Sequence, residues 1–95
     1  MLDIRWALLA QADLKRIASY YQRVDPSIAV DLAERIVRAA RLLSELPRAG
    51  QATQSAGRRR WRVPGTQYLI FYPIAAGHVP ILRVLHGAQL LAGRL

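Results

Sequence analysis

Between Leu14 and Leu46 the apolar residues fall at helical spacing, and between Arg58 and His86 they fall at strand spacing. That change of period restricts the fold more than any other feature. Leu14, Ile17, Ala18, Tyr21 and Val24 stand at i, i+3, i+4, i+7 and i+10, one stripe of an amphipathic helix beginning near Gln11. Asp13, Lys15, Arg16, Gln22 and Arg23 fall on its other side. Asp25-Pro26 then stops this helix and starts the next, since Asp caps well and Pro is tolerated at the first helical position. The second helix is predicted from Pro26 to Leu46, with Ala29, Leu32, Ala33, Ile36, Ala40, Leu43 and Leu46 as its buried stripe. Asp31 with Arg35 and Glu34 with Arg38 are acid-before-base pairs that support a helix and imply no chemistry.

The strand-like half begins at Arg60, where Arg, Trp, Arg and Val alternate, placing Trp61 and Val63 on one face and arginines on the other. Pro64-Gly65 suits a tight turn, and Tyr68 to Tyr72 is a run of aromatic and apolar residues expected of a central or doubly covered strand. A turn at Ala75 to Gly77 leads into Val79 to His86, read as one strand. These three form an antiparallel meander. Leu2, Ile4 and Trp6 alternate with Asp3 and Arg5 in a short first strand beside it, and Pro47 to Gly57 reads as a polar surface loop. Neither helix can bury its stripe alone, so the αα-hairpin must pack on one face of the sheet. The expected class is α+β: an N-terminal strand, an αα-hairpin, then a three-stranded antiparallel meander, in one domain spanning 1–95.

With 53% hydrophobic residues the chain can build a core without staples, and the lack of cysteine excludes disulfides, thiolate metal sites and a Cys nucleophile. No apolar run reaches the roughly 18 residues of a membrane span, and the first residues do not read as a signal peptide, so a cytoplasmic location is expected. The net charge of +8 is unevenly placed: residues 1–45 carry all six acids and are near balance, whereas residues 46–95 carry seven arginines and no acid. A cationic surface of that kind suits an acidic partner or nucleic acid.

The common catalytic motifs are missing: there is no phosphate loop, no paired-carboxylate motif outside the helices and no metal-binding pattern, and no cofactor is expected. The acids read mostly as solvated. Proton transfer would fall to His86, to His78, to a tyrosine or to an arginine-supported site. Regular strand geometry puts Arg83 and His86 on opposite faces. Arg58, Arg59, Arg60 and Arg62 have the planar fork that fits phosphates and carboxylates alike, or they form a solvated cationic face with no partner. Trp61 could stack on a base, although its alternation favours the core.

In order, the opening strand, Ala12-Asp13-Leu14, Ile17 to Tyr21, Leu42 to Pro47, Gly50, Arg62-Val63, Tyr68 to Tyr72 and, above all, Ile81-Leu82-Arg83-Val84-Leu85-His86-Gly87-Ala88 resemble the ParE branch of the RelE/ParE toxin superfamily. The resemblance covers essentially the whole chain. It implies a small toxin with a groove that receives the C-terminal part of an antitoxin, and poisoning of DNA gyrase rather than an activity of its own. RelE-like relatives instead cut mRNA on the ribosome. In that alternative Arg62, Arg83 and His86 would be catalytic, but no lysine follows Lys15 and no tyrosine follows Tyr72. A non-toxic nucleic-acid-binding module is the third reading. The residues expected at the antitoxin or target interface are Arg58, Arg59, Arg60, Arg62, Arg83, His86 and Gln89, the last standing where the family commonly has arginine.

Overall fold

The computed structural model describes residues 1–88. In order the elements are β1 (Asp3–Trp6), α1 (Leu8–Val24), α2 (Pro26–Glu45), β2 (Gln51–Ala52), β3 (Arg58–Arg62), β4 (Tyr68–Pro73), β5 (His78–Ile81) and β6 (Arg83–His86). Strands β2, β3, β4 and β6 form an antiparallel sheet in that spatial order, and β1 pairs with β5 in parallel. This is the expected α+β arrangement, with the αα-hairpin on one face of the sheet.

The hairpin turns where the sequence places it. Asp25 has extended backbone, and its carboxylate accepts from the Ser27 N–H at 3.0 Å, with Pro26 opening α2. Ile17, Leu32, Ile36, Ala40 and Leu43 pack on Val63, Ile70, Tyr72, Val79, Ile81 and Val84 to form the main core. Three stripe positions differ from the expectation. Val24, Ala33 and Leu46 are exposed. Ala10 and Ala39 are buried in their place. Helix α1 also begins at Leu8 rather than near Gln11, since Leu8 and Leu9 join the helix while facing outward, 82% and 62% exposed.

The polar loop contains a short strand. Gln51 pairs with Arg60 and Ala52 with Arg59, so β2 extends the sheet by one edge strand. Gly50 makes this possible. A Cβ there would lie 2.6 Å from the Tyr72 hydroxyl and 2.7 Å from the Arg60 carbonyl, and the Gly50 N–H donates to that hydroxyl at 2.9 Å. The tight turns at Gly57, Gly65 and Gly77 all use positive φ.

The last strand is divided at Leu82. Up to Ile81 its outer edge is paired by β1, and the Ala7 N–H donates to the Ile81 carbonyl at 2.9 Å as the chain turns into α1. Backbone pairing on that edge then ceases. The outward N–H of Val84 finds a carboxylate instead, that of Asp13 on α1, at 2.9 Å. On the inner edge the Leu82 N–H donates to the Phe71 carbonyl at 2.8 Å, so β4 spans the interruption.

Candidate cationic face

Successive residues of a strand face opposite sides, and β4 divides accordingly. Ile70 and Tyr72 enter the helix-covered core, while Leu69 and Phe71 join Leu85 in a separate apolar cluster on the face opposite α1 and α2. The register places Arg62 opposite Leu69, Arg60 opposite Phe71, Arg58 opposite Pro73 and, from the other side, Arg83 opposite Phe71. The open face is thus an apolar centre with arginines on both flanks. Their stems can lie along the leucine and phenylalanine side chains while the guanidinium groups stay in water.

Two cavities open on this face and share Arg60. One, of about 480 Å³, is lined by Arg58, Arg60 and Arg83 over Phe71 and Leu82, with Thr53 at its edge. The other, of about 750 Å³, includes Arg60, Arg62, Leu69 and His86. Of the described acids only Asp13 touches any of these arginines, so the charge of Arg58, Arg60 and Arg62 is uncompensated by carboxylates. Arg62 reaches the Gln67 side chain at 3.2 Å, and the Arg60 Nε lies 3.4 Å from the Gln51 side-chain oxygen.

Arg59 is not part of this face. It has the parity of Trp61, and its guanidinium donates to the Gly50 carbonyl at 2.7 Å and the Arg48 carbonyl at 3.4 Å. Its role is to tie the chain entering β2 to β3. Trp61 packs partly against the main core with Nε1 buried, as its alternation predicts, and the rest of its ring lines the second cavity. His78 lies in β5 opposite Asp3, away from both cavities. Gln89 lies outside the described residues.

Asp13 is the residue that sequence reasoning misplaced. It was expected among solvated acids, but it is 1% exposed. Its Oδ2 accepts from Arg83 Nε at 2.9 Å and its Oδ1 from Arg83 Nη2 at 3.0 Å, a bidentate hold, with Arg16 Nη2 on Oδ1 at 2.8 Å. Burial pushes the Asp13 carboxyl up, but the hydrogen bonds from Arg83, the Val84 N–H and Arg16 together outweigh it and hold the group below the usual carboxylate range. The partner effect raises Arg83 above its ordinary value. The signal available in the sequence was Asp13's place one residue before Leu14, on the flank of the apolar stripe, within the Ala12-Asp13-Leu14 string.

His86 stands edge-on to Tyr68, with ring centroids 5.1 Å apart, and its Nδ1 accepts from the Ala88 N–H at 3.1 Å. The ring proton is therefore on Nε2 in the neutral form. Burial, reinforced by the neighbouring Tyr21, pushes the Tyr68 hydroxyl well above its ordinary value, so it stays protonated. Among the described residues no group of three or more His, Cys, Asp or Glu could hold a metal ion.

Residues 4–91 match the family described as the ParE toxin of the type II toxin-antitoxin system, parDE. The chain belongs to the ParE toxin family. It is 36% identical over 90 residues to the toxin RelE2 of Caulobacter vibrioides, covering 95% of this chain and 100% of that protein. It is 34% identical over 86 residues to the putative toxin Y4kP of Sinorhizobium fredii, covering 90% and 88%. In fold it is similar to a chain of the chromosomal ParDE toxin-antitoxin system of P. aeruginosa, with a TM-score of 0.81, 22% identity and coverage of 90% and 96%. A chain of the E. coli DinJ-YafQ toxin-antitoxin complex superimposes less closely, with a TM-score of 0.61, 14% identity and coverage of 94% and 96%. The protein is thus a type II toxin-antitoxin family toxin with the ParE fold.

Proposed function

We propose that this ParE-family toxin acts by binding: its open cationic face engages an acidic segment of a cognate antitoxin, and the free toxin inhibits DNA gyrase and so replication in the cytoplasm. The observation that carries the reading is the set Arg58, Arg60, Arg62 and Arg83 on the sheet face opposite α1 and α2, which bears no acid among the described residues, in a chain of the ParE family. A field of one sign over a concave surface speeds association with an oppositely charged partner. No described helix is long and apolar enough to cross a membrane, which agrees with that location. The interface on this reading comprises Arg58, Arg60, Arg62 and Arg83, with His86, which has the parity of Val84 and stands against Tyr68, at the rim of the second cavity, whereas Arg59 contributes only through the shape of β2.

One observation favours the ribonuclease reading: Arg62 and His86 line the same cavity. Arg83, the third residue that reading needs, lines the other cavity and is held by Asp13. Expression without antitoxin, with DNA, RNA and protein synthesis labelled separately, separates the readings. An early halt in DNA synthesis with filamentation is the expected result. An early halt in protein synthesis with cut transcripts, lost in His86→Ala, would replace gyrase by mRNA as the target. Co-expression of the antitoxin should restore growth.

A further inference from the structure

The cavity over Phe71 and Leu82 differs from the rest of the cationic face in how its arginines are held. Arg58 and Arg60 have no carboxylate partner among the described residues, but Arg83 is fixed from behind, through Nε and Nη2, by a buried Asp13 that is itself anchored on the Val84 N–H. This leaves Nη1 and one N–H of Nη2 for a ligand, with the side chain 33% exposed. A guanidinium whose plane is set before binding loses little freedom on meeting an anion.

Two anions fit such a group, a phosphate and a carboxylate, and the floor separates them. Phe71 is the one aromatic ring in the cavity and is 8% exposed, so no base can stack on it. Leu82 and Ala52 complete the apolar part, and Thr53, Gln54 and Ser55 form a polar wall, in which the Thr53 hydroxyl accepts from the Ser55 N–H and donates its one proton to the Ser55 or the Arg58 carbonyl. An apolar floor under three arginines matches a peptide that presents a carboxylate beside an apolar side chain.

We infer that the cavity bounded by Arg58, Arg60 and Arg83 over Phe71 and Leu82 is a carboxylate-recognition pocket for an acidic peptide segment, with Asp13 as the residue that positions Arg83. The pocket rests on the antitoxin reading above and adds to it the chemistry of the contact: an Asp or Glu followed or preceded by an aliphatic residue. Asp13 acts through Arg83 and does not itself touch the ligand.

The test is a titration of the full-length ¹⁵N-labelled protein with the capped peptide Ac-Leu-Glu-Leu-Glu-Leu-NH2, following the arginine Nε–Hε signals and the backbone amides. The expected result is saturable shifts at Arg58, Arg60 and Arg83 and at Phe71 and Leu82, with no response to the same peptide carrying Gln for Glu. Arg60→Gln, on an exposed strand position, should weaken binding about tenfold, the scale of one charge-assisted hydrogen bond. Arg83→Lys keeps the charge but loses the bidentate hold on Asp13, and should also weaken binding while the amide spectrum stays dispersed. Asp13→Asn should do the same and broaden the Arg83 Nε–Hε signal. Equal binding of the Gln peptide, shifts confined to another surface, or a single-stranded RNA 8-mer that produces the same shifts at lower concentration would each overturn the assignment. Failure of the antitoxin reading shows elsewhere, as toxicity that no antitoxin relieves, so the two failures are distinguishable.

Discussion

The two faces of β4 are built from alternate residues of one strand and are stabilised in different ways. On the helix-covered face Ile70 and Tyr72 are fully buried against α1 and α2, and the Tyr72 hydroxyl is satisfied by the Gly50 N–H. On the open face Leu69 and Phe71 are nearly as buried, but their neighbours across the sheet are arginines and Leu85. The first face is closed by hydrophobic burial within the chain. The second sets arginines opposite its apolar residues, a cationic face on which an anionic partner is proposed to dock. The lesson is that burial alone does not mark a core: who supplies the cover decides whether a face is structural or available for binding.

That contrast predicts effects of different size. Leu43→Ala empties a site on the closed face and should cost about 2 to 5 kcal/mol in denaturant unfolding. Asp13→Ala, at the junction of the faces, leaves Arg83 and the Val84 N–H without their acceptor. It should cost ~2 kcal/mol, less than a fully buried pair because Arg83 keeps 33% of its side chain in water. Gly50→Ala forces β2 away from Tyr72 and should cost roughly 1 to 3 kcal/mol, since the obstructing atoms include backbone.

Asp13 also gives the closed face a pH signature. Its folded-state pKa lies below the unfolded value, so its stabilisation is present above the unfolded pKa and is lost as pH falls through the folded one. The unfolding midpoint should therefore drop below about pH 4, and Asp13→Asn should flatten that part of the profile. If the wild type and Asp13→Asn lose stability in parallel there, the depressed carboxylate is not the cause.

The smallest stability effects belong to the open face. Arg58→Gln, Arg60→Gln and Arg62→Gln should each change unfolding by no more than about 0.5 kcal/mol. Together they should slow association with an acidic antitoxin and flatten its salt dependence in binding kinetics. A triple variant that unfolds early would erase the distinction between the faces, because it would make those arginines part of the fold's own support.

Much of this molecule is written in local sequence. The stripe of Leu32, Ile36, Ala40 and Leu43, the Asp25-Pro26 junction and the alternation of Arg60, Trp61, Arg62 and Val63 each act through spacing within a few residues, so the helices, the meander and the arginine face were legible. So was the family, through the string ending Arg83-Val84-Leu85-His86-Gly87-Ala88. The position of Asp13 was not legible, because its burial depends on partners 70 and 71 residues away. Nor was the separation of Arg59 from Arg58 and Arg60, which follows from carbonyls at Arg48 and Gly50 meeting it across β2. The short strand at Gln51–Ala52 was hidden for the same reason: two polar-loop residues become a strand only when β3 is there to pair with them.

The sequence by itself determined the two helices, the central strands and which face of each is apolar or cationic, since hydrophobic period and turn chemistry are local properties. Tertiary structure alone decided where β1 stops, which edge N–H then needed a carboxylate, and which of the arginines is pinned. Those outcomes depend on hydrogen-bond partners that only the folded chain brings within 3 Å, and no spacing along the sequence encodes them.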